Sequence, residues 1–188
     1  VTTKEMIDTL KNAGFRTVRI PVTWHNHVTD DGNGPVISEA WLDRVQEVVD
    51  YAYDNGMYVI LNTHHDNTAN IEGEGGYYPD TAHAEESDRY IRGIWTQVAE
   101  RFKDYDEHLI FESLNEPRLV GTDYEWNFNA GVAECKDAAG SINRLNQLFV
   151  DTVRATGGNN VERYLMMPGY DASLAGAITD LYQLPNDI

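Results

Sequence analysis

Cysteine is almost missing from this chain. Cys135 is the only one, so no internal disulfide can form, and cysteine usage leaves the redox compartment open. No apolar run approaches the ~20 residues that a helical membrane span needs, although hydrophobic residues make up 41 % of the 188. Basic residues are scarce too: 14 Lys and Arg stand against 31 Asp and Glu, a net charge of −17. A polyanion binder needs basic patches, so no nucleic acid is expected as a partner, and anionic membranes and acidic polysaccharides are poor ones. No glycine-rich phosphate fingerprint follows any apolar run, which weakens a dinucleotide-binding reading. No cofactor is expected. The sequence opens at Val1 without a methionine or a signal peptide and is expected to be trimmed. What it does have is 11 Tyr and four Trp. These suit neutral ligands with flat apolar faces, although aromatics are core residues first.

The chain is long enough for one domain with a core. Met6, Ile7 and Leu10 carry helical spacing over residues 3–12, with Gly14 as the stop. A β-branched run from Thr17 to Trp24 predicts a buried strand, and residues 30–35 a turn-rich loop. Ser38 is placed to cap a helix that carries Trp41, Leu42, Val45, Val48, Val49 and Ala52, before a strand over 57–61. A polar, Gly-rich loop covers 67–84, and Ser87 is placed to cap a third helix bearing Ile91, Ile94, Trp95, Val98 and Phe102. The next strand begins at Leu109 and is predicted to run to Glu116, because Pro117 cannot donate to a ladder and biases its predecessor toward extended geometry. After a loop over 118–136, a fourth helix (Ile142, Leu145, Leu148, Phe149, Val153) precedes a strand over 161–167 and a helical tail over 173–184. Strand and helix alternate four times, which argues for a parallel sheet with right-handed crossovers, apolar on both faces. The long loops follow strands, so the functional surface belongs at the strands' carboxyl ends, as in eightfold barrels and open doubly wound sheets.

Polar residues converge on that edge. Arg19 interrupts an apolar strand and needs an anionic or strongly polar partner. The second strand ends in His64-His65, whose side chains on a strand point to opposite faces and so cannot ligate one metal side by side. The usual metal-ligand spacing is lacking, and no metal site is expected. The third strand supplies Asn115 and Glu116. An isolated Asn-Glu-Pro is more often a surface acid before a turn. Together with Arg and His at the same edge it is a site signature.

The set Val18-Arg19-Ile20-Pro21-Val22, Asn62-Thr63-His64-His65-Asp66 and Leu114-Asn115-Glu116-Pro117, with Tyr164-Leu165-Met166-Met167-Pro168-Gly169-Tyr170, resembles glycoside hydrolase family 5, in its endoglucanase branch. The likeness spans nearly the whole chain. It implies a (β/α)8 barrel, secreted and acting with retention on β-1,4 bonds of cellulose or related β-glucans. By position, Glu116 matches the general acid/base and Asn115 the residue that bonds the sugar 2-hydroxyl beside the scissile bond. Arg19 and His64 match groups that orient the catalytic carboxylates, and His65 and Trp126 are similar to sugar contacts. The residue types suit acetal hydrolysis, which needs one protonated carboxyl and a second carboxylate ~5–5.5 Å away in retaining enzymes.

On that pattern residues 1–188 are a partial barrel domain supplying strands two to five. The first strand is expected before Val1 and the others after Ile188, and the nucleophile, a Glu on the seventh strand, has no match. Missing barrel segments or a second copy of the chain are then expected to complete the fold. Glu112, four residues before Glu116 on the same face, would lie ~13 Å deeper and reads as a structural acid paired with Arg19 or another interior donor. Glu72, Glu74, Asp80 and Asp123 read as solvated loop acids. The alternative to an enzyme is a half barrel that binds β-glucan without cleaving it.

Overall fold

The computed structural model describes residues 2–68 and 75–187; Glu72 and Glu74 lie outside the described residues. Its elements run α1 (Lys4–Asn12), β1 (Thr17–Ile20), β2 (Val28–Asp30), β3 (Pro35–Ile37), α2 (Glu39–Tyr53), β4 (Tyr58–Asn62), α3 (Ala84–Arg101), β5 (Leu109–Glu112), α4 (Ala133–Ala155), β6 (Leu165–Met166) and α5 (Leu174–Ala177). One sheet has the order β1-β4-β5-β6, with every pair parallel. Each crossover contains a helix (α2, α3, α4), the connection that parallel neighbours require. Val18 pairs Val59, Leu61 pairs Phe111, and Phe111 pairs Leu165.

The core lies between this sheet and its helices. Trp95 of α3 meets Phe111 of β5 at 5.2 Å and Phe149 of α4 at 4.6 Å, ring centre to ring centre. Val59, Leu61, Ile91, Ile94, Leu109 and Leu145 are fully buried around them. At the end of the sheet where β5 enters, Arg163 is buried, with no carboxylate partner among the described residues. Its five N–H groups go to Asn160 Oδ1 (2.6 Å) and the carbonyls of Asp106 (3.1 Å), Leu109 (2.7 Å), Phe102 (3.0 Å) and Tyr105 (2.7 Å). Its plane lies 4.8 Å over the Phe111 ring. Burial pulls its pKa down to about 10, which still leaves it charged at neutral pH.

Several expectations change. The central strands β4 and β5 are buried as predicted, but β1 alternates exposed and half-buried, because β1 and β6 are the sheet's edges. The loop at 30–35 is the tip of an antiparallel hairpin in which Val28 pairs Ile37. The hydroxyl of Ser38 caps nothing. Ser87 lies inside α3, which starts at Ala84, and its hydroxyl exchanges bonds with the backbone of Tyr78 (3.0 Å each way). Asp80, expected as a solvated loop acid, is half-buried and accepts from His83 N (2.8 Å), the residue just before the helix. The last strand is only two residues long. Two glycines with positive φ, Gly157 and Gly158, and the inward turn of Arg163 occupy the residues before it. The tail forms one short helix, capped by Ser173.

Candidate active site

β5 ends at Glu112, not at Glu116 as the proline suggested. Side chains carry on from there. Ser113 N still donates to Met166 O (2.9 Å), while its carbonyl accepts from Thr63 Oγ1 (2.6 Å) and Trp95 Nε1 (3.3 Å). Its hydroxyl donates to Asn146 Oδ1 (2.7 Å), and Asn146 Nδ2 donates to Pro168 O (3.0 Å). Leu114 is fully buried below. The segment bearing Asn115 and Glu116 is therefore held from four sides, by β6, the end of β4, α3 and α4, although it belongs to no ladder.

Arg19 is the organising cation. Its Nε donates to Glu112 Oε2 (2.6 Å) and its Nη2 to Glu112 Oε1 (2.7 Å), a two-pronged pair. Glu112 is thus the structural acid paired with Arg19 that its place on the strand implies. Nη2 also donates to Asn115 Oδ1 (2.7 Å). With its oxygen taken, the buried Asn115 amide keeps its NH2 as the donor it can offer to a ligand. The hydrogen bonds it donates to Glu112 keep the Arg19 pKa above its ordinary value.

His64 lies past the end of β4, where Asn62 fixes it. Asn62 Oδ1 accepts from Val22 N (3.2 Å), so its Nδ2 faces His64 Nδ1 at 3.2 Å. His64 Nδ1 is then the acceptor and Nε2 carries the proton. Burial, then His65 and Arg19, hold the imidazole pKa below its usual value, so the ring is neutral at neutral pH. His64 and His65 do not point to opposite faces. They have left the strand, and their rings meet edge to face at 4.5 Å, with His65 exposed.

Glu116 is at the lip, its side chain 40 % exposed. Arg118, missed in the sequence, binds its carbonyl (3.0 Å) and reaches Oε2 at 3.4 Å. Arg118 Nε pairs with Glu125 at 3.2 Å, and the guanidinium lies 4.1 Å over the ring of Trp126. Trp126 is 58 % exposed, so one indole face is backed by a cation and the ring remains open to solvent. An acid followed two residues later by Arg was the signal for Arg118. Asp66, quoted only as part of a motif, is fully buried and accepts from Trp24 N (2.8 Å), His25 N (2.8 Å) and Tyr90 Oη (2.9 Å), tying the chain after β1 to the end of β4. Asp123 is exposed, as a solvated loop acid should be.

Arg19, His64, Asn115 and Glu116 therefore meet at the carboxyl ends of three adjacent parallel strands. The set offers one half-exposed carboxyl, a fixed amide donor and a neutral imidazole. Of the acids around Glu116 among the described residues, Glu112 is committed to Arg19 and Glu125 to Arg118, and Asp171 stands on the turn that follows β6.

Residues 1–187 match the family model described as cellulase (glycosyl hydrolase family 5). Endoglucanase A of Ruminococcus albus is 49 % identical over 186 residues, which are 99 % of this chain and 48 % of that protein. A glycoside hydrolase 5 lichenase from Caldicellulosiruptor sp. F32, solved as a Glu-to-Gln variant with cellotetraose, superposes with a TM-score of 0.94 at 56 % identity, over 100 % of this chain and 48 % of that one. A broad-specificity endoglucanase from Ruminococcus champanellensis with bound cellotriose gives 0.89 at 47 %, over 100 % and 50 %. The chain spans half or less of the length of these relatives.

Proposed function

The chain belongs to the cellulases of glycosyl hydrolase family 5, its four parallel strands forming about half of a (β/α)8 barrel, and from that premise we propose that the full-length protein is an endo-acting retaining hydrolase of β-1,4-glucosidic bonds in cellulose or related β-glucans. The observation that carries this reading is the bond from Arg19 to Asn115 Oδ1, which fixes an amide donor one residue before a half-exposed carboxyl.

In the first step Glu116 gives its proton to the departing glycosidic oxygen while a carboxylate from outside residues 1–188 attacks the anomeric carbon, forming a glycosyl ester. In the second, Glu116 takes a proton from water as the water oxygen displaces that ester. The Asn115 NH2 donates to the 2-hydroxyl of the sugar being transferred, an interaction that gains as charge develops on the ring. Arg19 neutralises the interior Glu112 and keeps the amide in register; His64 offers Nε2–H as a neutral donor beside them. His65 and Trp126 are exposed sugar contacts, the indole stacking on the flat C–H face of glucose. A polymeric substrate is met outside the cell, which is the reason for an extracellular location.

Glu116→Gln in the full-length enzyme tests the assignment. Polysaccharide turnover should fall by ~10²–10⁴ with oligosaccharide binding retained, and aryl glycosides with very acidic leaving groups should suffer less in the first step. Polysaccharide turnover near wild type would refute the acid/base role, whereas a wild-type protein that binds β-glucan without cleaving it would favour a binder that keeps the cleft without the chemistry.

A further inference from the structure

We propose that Asp171 is a specificity residue on the leaving-group side of the cleft, its carboxylate accepting hydrogen bonds from hydroxyls of the sugar ring that departs when Glu116 protonates the glycosidic oxygen. This rests on the hydrolase reading above.

Placement comes first. The sheet order β1-β4-β5-β6 puts Asn115 and Glu116, which follow β5, between two groups. Arg19 and His64 lie on the β1–β4 side, and the Arg19 bond draws the Asn115 amide toward them. The sugar whose 2-hydroxyl meets Asn115 therefore covers that side, and the ring beyond the scissile bond lies toward β6. Asp171 stands five residues past the end of β6.

The turn that carries it is over-determined. Asp171 N donates to Pro117 O (2.8 Å), and Tyr170 Oη accepts from Leu119 N (3.0 Å) while donating to Tyr124 O (2.6 Å). A Cβ on Gly169 would stand 2.8 Å from the Gly176 carbonyl, and one on Gly176 only 2.4 Å from Tyr170 O, so neither position accepts a side chain. Within this frame Asp171 has φ +55 and Ala172 φ +46, in the left-handed region where glycine is the easy choice. A strained non-glycine residue at a site edge that its surroundings hold firmly is where a functional side chain is expected.

The carboxylate is also under-used. Asp171 is half-buried, and its Oδ1 is buried without a hydrogen-bond donor among the described residues. Its titratable neighbours are the carboxyls of Glu116 and Glu125, and Arg118, already engaged by Glu116, Glu125 and the Trp126 ring. Burial, then Glu116, push its pKa up, the direction expected of an acid short of donors. The residue is half-buried, so a ligand meets the carboxylate from its open side. Sugar hydroxyls supply the donors; a nitrophenolate leaving group has none to give.

The test uses the full-length enzyme with Asp171→Asn and Asp171→Gly, assayed on a cello-oligosaccharide and on an aryl β-cellobioside. The glycine variant relieves the positive φ, so it removes the carboxylate without threatening the fold. Both variants should lose about ten-fold or more in kcat/KM on the oligosaccharide, the worth of a hydrogen bond to a charged group, and change less than about three-fold on the aryl substrate, with the melting temperature of the glycine variant equal to or above wild type. Equal losses on both substrates, a shift of the pH profile shared by both, or no loss on either would overturn the proposal. Wild-type enzyme that cleaves neither substrate would instead overturn the hydrolase reading beneath it.

Discussion

Replacing Arg19 by Met separates two roles that the structure joins in one guanidinium. Glu112, its side chain 11 % exposed, would lose both of its close donors, and Asn115 would lose the bond that orients it. Removing one partner of a buried ion pair costs ~3–5 kcal/mol, whereas an exposed pair contributes ~0–1. The Arg19 side chain is 38 % exposed, so the cost belongs between these ranges, at about 2–3 kcal/mol. In the full-length enzyme, whose relatives are about twice as long as this chain, that lowers Tm by roughly 2–5 °C. Adding Glu112→Leu removes the stranded carboxylate and should recover most of the loss, because an ion pair and a well-packed apolar pair are often near in stability. Turnover should not recover. An untethered Asn115 amide free to shift by 1 Å costs on the order of 10²-fold. The assays are thermal melts and initial rates on β-glucan for both singles and the double in the full-length enzyme. A double variant that regains wild-type turnover along with stability would refute the positioning role of Arg19. An Arg19→Met enzyme as stable as wild type would refute the energetic account of the pair.

The His64 imidazole, held below its ordinary pKa by burial, His65 and Arg19, should titrate below 6.5 in an NMR experiment. Because the unfolded chain then binds the proton more readily, stability from this residue is full above pH 6.5 and lost as pH falls toward the folded pKa; His64→Gln should flatten that acid-side slope, and a midpoint above 6.5 would contradict the reading. Trp126→Ala should weaken oligosaccharide binding by calorimetry with Tm within about 2 °C of wild type, since an exposed ring adds little to packing; a large drop in Tm with unchanged affinity would assign the indole to holding the loop. The 188 residues expressed alone present two unpaired parallel edges, with Tyr164 and Met166 exposed along β6. Light scattering should find self-association that grows as salt screens the −17 charge, and a dilution-stable monomer with a cooperative melt would show that the edges need no partner.

The alternation of elements was legible because both of its signals are local: period-two or continuous apolar runs, and helical spacing with stops such as Gly14 and Asn55-Gly56. Arg19, Asn115 and Glu116 were legible because a charge inside an apolar strand and an acid before proline are anomalies against those runs. Where side chains replace backbone bonds, the sequence was silent. Nothing local says that Thr63, Trp95 and Asn146 take over the end of β5 at Ser113, so the strand was read four residues too long. The same cause placed His64 and His65 on opposite faces, when Asn62 had already turned the chain out of the sheet. Ser87 has the right chemistry for a cap and spends it on Tyr78 across the short loop before α3. Asp171 and Arg118 were missed because their meaning lies in contacts between loops that follow different strands.

Arg163 has a consequence for the order in which the molecule is made. Its carbonyl partners belong to residues 102, 105, 106 and 109, which precede it by 54 to 61 positions. When synthesis proceeds from the amino terminus, those four carbonyls leave the ribosome well before the guanidinium that donates to them. Phe102 O and Asp106 O already accept from Tyr105 N (3.1 Å) and Leu109 N (3.2 Å) within the turn between α3 and β5, and Arg163 brings each of them a second donor. One late residue thus ties the turn between α3 and β5, and with it the start of the strand that leads into Glu116, to a segment that follows α4.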